Sequence, residues 1–321
     1  MTAEDSFAAW LLDAATPSIR YRTLTDLVGL PADDARVRAA RRAIMTGGPV
    51  PAILGGQTKS GKWPAEHSFY TPKYVSTHWS MMLLSELDVE PGDQRFRKGA
   101  EYMLAATSEQ RSKSRNALQG PGWSCFWGNL LRYAITAGFA EDARVGEIIR
   151  YACEDLERGP CRCRANGGQP CAWGAVRTLW GLAAIPKEMR TGAEEGAIAQ
   201  GLRFLLSSFN LLEADYPTSD RGRVSPLWFK LSFPLFYQAD ILFALRVLGE
   251  LEALDHPGAR AALDWLEGRR GRDGRWHGTS PFRSRTWRQL GDREETDRWV
   301  SLHAARALQQ AGRRPVLGAE A

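Results

Sequence analysis

The sequence predicts an all-α fold of repeated helical hairpins, and three observations carry that prediction. Apolar residues recur at the three-to-four-residue spacing of amphipathic helices. Short groups of Gly, Pro and Asp interrupt them at intervals that suit helix ends. Hardly any stretch alternates strictly between apolar and polar residues, as a half-buried strand would. Of 321 residues, 44% are hydrophobic and 25% charged, enough apolar material for a large core. In chain order the expected helices cover 5–14, 17–28, 33–46, 77–87, 94–106, 126–137, 141–157, 173–184, 193–207, 236–250, 256–267 and 297–311. The first three, with Trp10 and the Arg20-Tyr21-Arg22 segment, read as a hairpin or cap over 1–49. The paired helices occupy 50–312, and 313–321 reads as a flexible tail.

Several pairs share a pattern. The first helix opens on a tryptophan, and the second is followed by a loop containing Gly and Trp. Gln57, Gly61 and Trp63 stand in the spacing Q-x-x-x-G-x-W. Arg260, Ala261, Trp265 and Leu266 lead to Gly274 and Trp276, with Arg270 at the glutamine position. Lys98, Gly99, Tyr102 and Met103 lead to a degenerate version at Gly122 and Trp123. This resembles the repeat of squalene and oxidosqualene cyclases, over roughly residues 50–312. The resemblance implies an α/α toroid, or α/α barrel, of the kind found in terpene cyclases and protein prenyltransferase β-subunits. Physically the motif is local: glycine permits the turn, tryptophan covers a helix end, and glutamine bonds exposed helix-end groups.

The net charge of +5 rests almost wholly on arginine, with seven lysines among 42 basic residues. The densest basic stretch, Arg269 to Arg275 with Arg283, Arg285 and Arg288, reads as a solvated loop that could contact phosphate or acidic lipid. No recognised nucleic-acid module accompanies it, so a nucleic-acid partner is not expected, while peripheral membrane contact stays open. No apolar run reaches the roughly 18 residues of a bilayer span, and the first residues lack the basic and apolar regions of a signal peptide. A cytoplasmic location is expected. Four of the five cysteines crowd between Cys153 and Cys171. They read as free thiols or metal ligands, not as a disulfide framework.

In a toroid the first helix of each pair lines the barrel, which places functional residues near the starts of those helices. Cys125 precedes Trp127 and Gly128 as Cys171 precedes Trp173 and Gly174, 46 positions later, and the tryptophan recurs at Trp79 and Trp299. The ring of equivalent positions then reads Thr77, Cys125, Cys171, Tyr237 and Asp297. Two readings stay open here. On the first, cysteine is commonly buried, and a small residue beside tryptophan is a packing device. Alternatively, two thiols at helix N-termini have their pKa values lowered by the dipole and share a zinc ion, with His78, Asp297 or His303 as third ligand. Zinc is therefore a candidate cofactor; Cys153, Cys161, Cys163 and Cys171 form an alternative tetrahedral cluster. Protein prenyltransferases and lanthionine cyclases hold zinc in this general region of a similar barrel, though their complete motifs are absent from this chain.

The resemblance further implies a hydrophobic, isoprenoid-like small molecule inside the barrel, rearranged or alkylated by cationic chemistry. That chemistry needs aromatic walls and an acid or a metal. Trp79, Trp127, Tyr133, Trp173, Trp180, Phe236, Tyr237 and Trp299 fall on the proposed inner helices as walls. The acidic motifs of these cyclases are missing. Asp240, expected one turn below Tyr237, is the best inner-helix carboxylate, either as the acid or paired with Arg177 or Arg246; Asp297 and Tyr237 are the other catalytic candidates. Two further readings stand beside this one: a non-catalytic toroid binding a hydrophobic ligand or a protein, and a zinc–thiolate enzyme activating a sulfur nucleophile.

Overall fold

A computed structural model describes residues 3–64, 68–113, 123–219 and 224–313. Among the described residues the regular elements are helical, and the β-bridge between Ser232 and Thr279 is isolated. No described helix is long and apolar enough to cross a membrane. The helices are α1 (Ala3–Leu12), α2 (Pro17–Arg22, extended by a wider turn over Thr23–Leu27), α3 (Ala35–Thr46), α4 (Pro49–Gly55) and α5 (Thr77–Glu86). They continue with α6 (Gln94–Lys113), α7 (Ser124–Thr136), α8 (Ala143–Glu157), α9 (Ala172–Leu182) and α10 (Gly192–Arg203). The last are α11 (Ile241–Glu250), α12 (Arg260–Gly268) and α13 (Arg293–Gln310).

Local chemistry explains where several of them start. The Asp34, Asp142 and Asp292 side chains accept backbone N–H groups of the first turns of α3, α8 and α13, and Thr191 with Glu194 forms a reciprocal capping box on α10. Two expectations need correction. The chain over 236–240 is not helical, so α11 begins only at Ile241, because Asp240 turns its carboxylate onto the helix start as an N-cap. The short α4 escaped notice, being one apolar stretch between Gly48 and Gly55 with too few turns to show a period.

Burial divides the helices into two kinds. Positions 77–84 of α5, 174–182 of α9 and 295–305 of α13 are buried without interruption, and α11 is nearly so. By contrast α8 buries one stripe, Val145, Ile148, Ala152, Cys153 and Leu156, and α12 buries Ala262, Leu263 and Leu266. Helices of the first kind and α7, which is buried over 126–131, pack in succession, α5 on α7, α7 on α9, α9 on α11 and α11 on α13, and α13 packs on α2. Ser18 Oγ in α2 donates to Leu87 O, just past α5, at 2.6 Å. The others lie against this succession, α6 on α5 and α7, α8 on α7 and α9, and α12 on α11 and α13.

The closest approach is between α7 and α9. A Cβ on Gly128 would lie 2.2 Å from Arg177 O, and one on Gly181 would lie 2.5 Å from Gly128 O, so only glycine lets these backbones meet. A Cβ on Gly174 would lie 2.9 Å from Cys161 Cβ. The Trp-Gly recurrence at Trp127 and Trp173 thus has a packing reason.

The two glycine–tryptophan loops are built alike. Trp63 Nε1 donates to Ile53 O at 2.6 Å and Trp276 Nε1 to Leu266 O at 2.7 Å, each tying the indole to the end of the helix ten residues earlier. Gln57 Nε2 donates to Gly61 O at 2.9 Å; Arg270 Nε donates to Gly274 O at 2.7 Å. Arg270 therefore makes the glutamine's bond with a different group. Gly61 (φ 91°) and Gly274 (φ 77°) occupy the left-handed region that a side chain would strain. The backbone N–H of Trp63 meets Thr77 Oγ1 at 3.1 Å, and that of Trp276 meets Ser301 Oγ at 2.9 Å. By this bond the counterpart of Thr77 is Ser301, one turn beyond Asp297. The degenerate motif position Gly122 lies outside the described residues, as does the expected tail beyond Arg313, which itself pairs with Asp264 and Glu267.

Candidate functional site

Half-buried aromatics gather where α5, α7 and α9 begin, beside the non-helical segment that enters α11. Lys73 Nζ stands 4.8 Å from the Tyr237 ring centroid and 5.8 Å from that of Tyr70. Tyr70 meets Trp123 edge-on at 6.4 Å, and Tyr237 meets Trp173 at 6.2 Å. Trp173 continues into a pocket of about 320 Å³ whose walls include Tyr216, Pro217, Val224, Ala172, Cys163 and Cys171. Periodicity singled out Trp173 and Tyr237. It missed Tyr70, Lys73, Trp123 and Tyr216, which lie in loops or at helix ends and carry no periodic signal.

Below this rim the expected cavity walls are occupied by protein. Trp79, Tyr133, Phe236 and Trp299 are each at most 1% exposed, and Trp127 and Trp180 are also buried. Trp79 Nε1 donates to Tyr70 O at 2.8 Å and its ring packs at 5.7 Å from Phe236. Trp127 packs at 5.1 Å from Phe126, Trp180 at 5.4 Å from Phe243, and Trp299 stacks on Phe233 at 4.3 Å. Of the eight residues expected as walls, Trp173 and Tyr237 alone are partly exposed.

Asp240 is not placed as an acid facing a cavity one turn below Tyr237. Its Oδ1 accepts Phe243 N–H at 2.7 Å and its Oδ2 accepts Ser232 N–H at 2.8 Å, both fully buried. Burial pushes its pKa up to about 7, against the lowering effect of those two bonds and of the more distant Arg246 and Arg177. Nor is it paired with either arginine. Arg177 donates through Nε and Nη2 to Gln238 O at 3.0 and 2.6 Å, with its guanidinium 3.8 Å above the Phe243 ring, and burial lowers it to about 9. Arg246 bonds Glu86 at 2.8 Å. Asp297 lies in the second turn of α13 and serves the loop after Trp276, accepting Gly278 N–H at 2.7 Å and facing His277 Nδ1 at 2.9 Å. Tyr237 stands at the rim beside Tyr74, its phenol pushed up to about 12 by burial first and the tyrosine neighbour second.

The proposed zinc ligands do not converge: among the described residues no three His, Cys, Asp or Glu side chains are grouped so as to hold a metal ion. His78 is buried against Phe126, 4.4 Å away, with Nδ1 3.2 Å from Tyr133 OH, and burial lowers it to about 3. His303 is stacked on Trp299 toward the other end of the helices, near Arg246, Arg306 and Arg22; burial first, and these cations next, hold its pKa well below the usual value. Cys153 faces outer-helix surroundings on α8 among Glu194, Glu157 and Glu154, pushed up to about 12 chiefly by burial. Cys161 is buried with Sγ 3.5 Å from Thr178 Oγ1.

The expected dipole effect on the helix-end thiols is overridden. Burial raises Cys125 to about 11. Cys171, the residue before α9, is raised well above the usual value by the hydrogen bond it shares with Cys163 and then by burial. The lowered thiol is Cys163, at about 6, because its sulfur accepts from the Cys171 thiol and from the backbone N–H groups of Ala165 and Asn166. No family model, no curated protein and no solved structure matches this chain.

Proposed function

We propose that the chain is an α/α toroid that binds a small molecule with an apolar body and an anionic end at the mouth where its inner helices begin. The succession of largely buried helices, each touching the next and the last touching α2, supports the toroid. The observation that carries the binding reading is the half-buried aromatic rim, Tyr70, Trp123, Trp173 and Tyr237, running into the pocket of about 320 Å³. Rings left partly exposed supply apolar area at low entropic cost. Lys73, over two of these rings, supplies the charge that an anionic group would meet. The binding reading is favoured over cationic catalysis because Asp240 is committed to backbone N–H groups and Asp297 to a surface loop. An isoprenoid fits this chemistry.

Tryptophan fluorescence of the full chain, titrated with farnesyl diphosphate and with the uncharged farnesol, tests the reading. Both bind, the diphosphate more tightly; Trp173→Ala weakens both by about tenfold or more, and Lys73→Ala weakens only the diphosphate. Failure of both probes to bind, or indifference to Trp173→Ala, overturns it.

A further inference from the structure

The loop between Cys163 and Cys171 closes on itself before entering α9. Cys163 N–H donates to Gln169 O at 3.0 Å and Gly168 N–H to Cys163 O at 2.8 Å, while Cys171 N–H donates to Pro160 O at 3.3 Å. These bonds bring the two thiols to the same wall of the mouth pocket, close enough that each shifts the pKa of the other. Cys163 is half-buried, and the Cys171 thiol together with the backbone of its own loop favours its thiolate. Three of the four other thiols, Cys125, Cys153 and Cys161, are held protonated mainly by burial.

We propose that Cys163 and Cys171 form a redox-active pair, Cys163 as the attacking thiolate and Cys171 as the resolving thiol, with a hydroperoxide as the oxidant. The Cys163 sulfur attacks the peroxide oxygen; the S–O bond forms as the O–O bond breaks, and the departing oxygen takes a proton from water and leaves as alcohol or water. Sulfur is thereby oxidised by two electrons to a sulfenic acid, and the peroxide is reduced. The Cys171 sulfur then attacks the Cys163 sulfur: the S–S bond forms, the S–O bond breaks, and the hydroxyl departs with the Cys171 proton as water. An external dithiol returns two electrons and two protons by exchange and restores both thiols. Oxidation draws the two sulfurs to the roughly 2.05 Å of a disulfide. The resulting bond staples the wall of the pocket, so oxidation state and occupancy of the mouth become coupled.

The experiment uses the full reduced chain with about one equivalent of hydrogen peroxide at neutral pH, followed by thiol counting and non-reducing peptide mapping. The expected result is the loss of two thiols, a mass decrease of about 2 Da, a 163–171 cross-link, and recovery with dithiothreitol. In Cys171→Ser the sulfenic acid stops at Cys163 and is captured by dimedone. Cys163→Ser forms neither cross-link nor sulfenic acid, and Cys153→Ser behaves as the parent. With iodoacetamide at pH 7, Cys163 reacts about tenfold or more faster than the other thiols. An unchanged thiol count, first oxidation at Cys125, or disulfides only between chains overturns the proposal. The peptide map of the unmodified chain decides the matter even where a variant fails to fold. The outcome is independent of the ligand reading, because it is read on thiols with no ligand present.

Discussion

The two ends of the most buried helices are built from opposite materials. Where the helices begin, half-buried rings and Lys73 adjoin a pocket walled in part by Trp173, Tyr216, Cys163 and Cys171. Where they finish, charge is tied off: Arg246 with Glu86 at 2.8 Å, Arg306 with Asp26 at 3.3 Å, Arg132 with Glu250, and Arg22 with Asp88. An aromatic rim can remain partly unfilled because its rings lose little by staying exposed. Charges sunk among helix ends have no such freedom, since each must be paired or be left at a cost of several kcal/mol. The far end is therefore closed by ion pairs, and the beginning keeps a pocket.

The largest expected effect tests the closed end. Glu86 is 3% exposed and Arg246 13%, so Glu86→Ala leaves a nearly buried guanidinium without its carboxylate and should lower stability by about 3–5 kcal/mol in urea unfolding. Adding Arg246→Met should recover much of that loss. A single-variant loss no larger than that of Trp173→Ala would break the contrast between the ends.

A smaller effect concerns the entry to α11, where Asp240 is raised to about 7 by burial. A carboxyl whose pKa is higher folded than unfolded stabilises the fold most fully below its unfolded value near 3.8, and that contribution is lost as pH rises through about 7. Asp240→Asn removes this dependence and sets an amide against Ser232 N–H, costing about 1–3 kcal/mol at pH 5. The advantage of the parent over the variant should shrink between pH 5 and 8 in denaturant unfolding. A constant difference would show that Asp240 keeps one protonation state on folding.

The smallest effect sharpens the comparison between the two glycine–tryptophan loops. Since Arg270 and Gln57 bond the glycine carbonyl four residues ahead in the same way, Arg270→Gln should change stability by no more than about 0.5 kcal/mol. A melting temperature displaced by more than a few degrees would mean that the cation–π approach of Arg270 to Trp276, at 5.3 Å, matters beyond the shared bond.

Much of the helix order was legible because it depends on local pattern. Thr77, Gln94, Ala143 and Ala172 begin helices at or within two residues of the expected starts. The site was less legible. Cys125 and Cys171 drew attention by their spacing from tryptophan, yet Cys163, with no periodic signature, is the thiol whose pKa is lowered, through a partner eight residues on and two N–H groups of its own loop. Trp79 and Trp299 stood out as cavity walls, but a tryptophan spaced to face inward reads the same whether it meets a ligand or Phe236 and Phe233.

The sequence by itself determined the all-helical class, the pairing of helices and the two glycine–tryptophan loops, because each follows from hydrogen bonds and apolar spacing within a few turns of chain. Only the tertiary structure decided that Asp240 caps a helix, that His303 stands apart from Cys125 and Cys171, and that one end is sealed by ion pairs while the other keeps a pocket. Those outcomes depend on which side chains from distant helices reach a given atom first, and on how much water each excludes, quantities that no local spacing encodes.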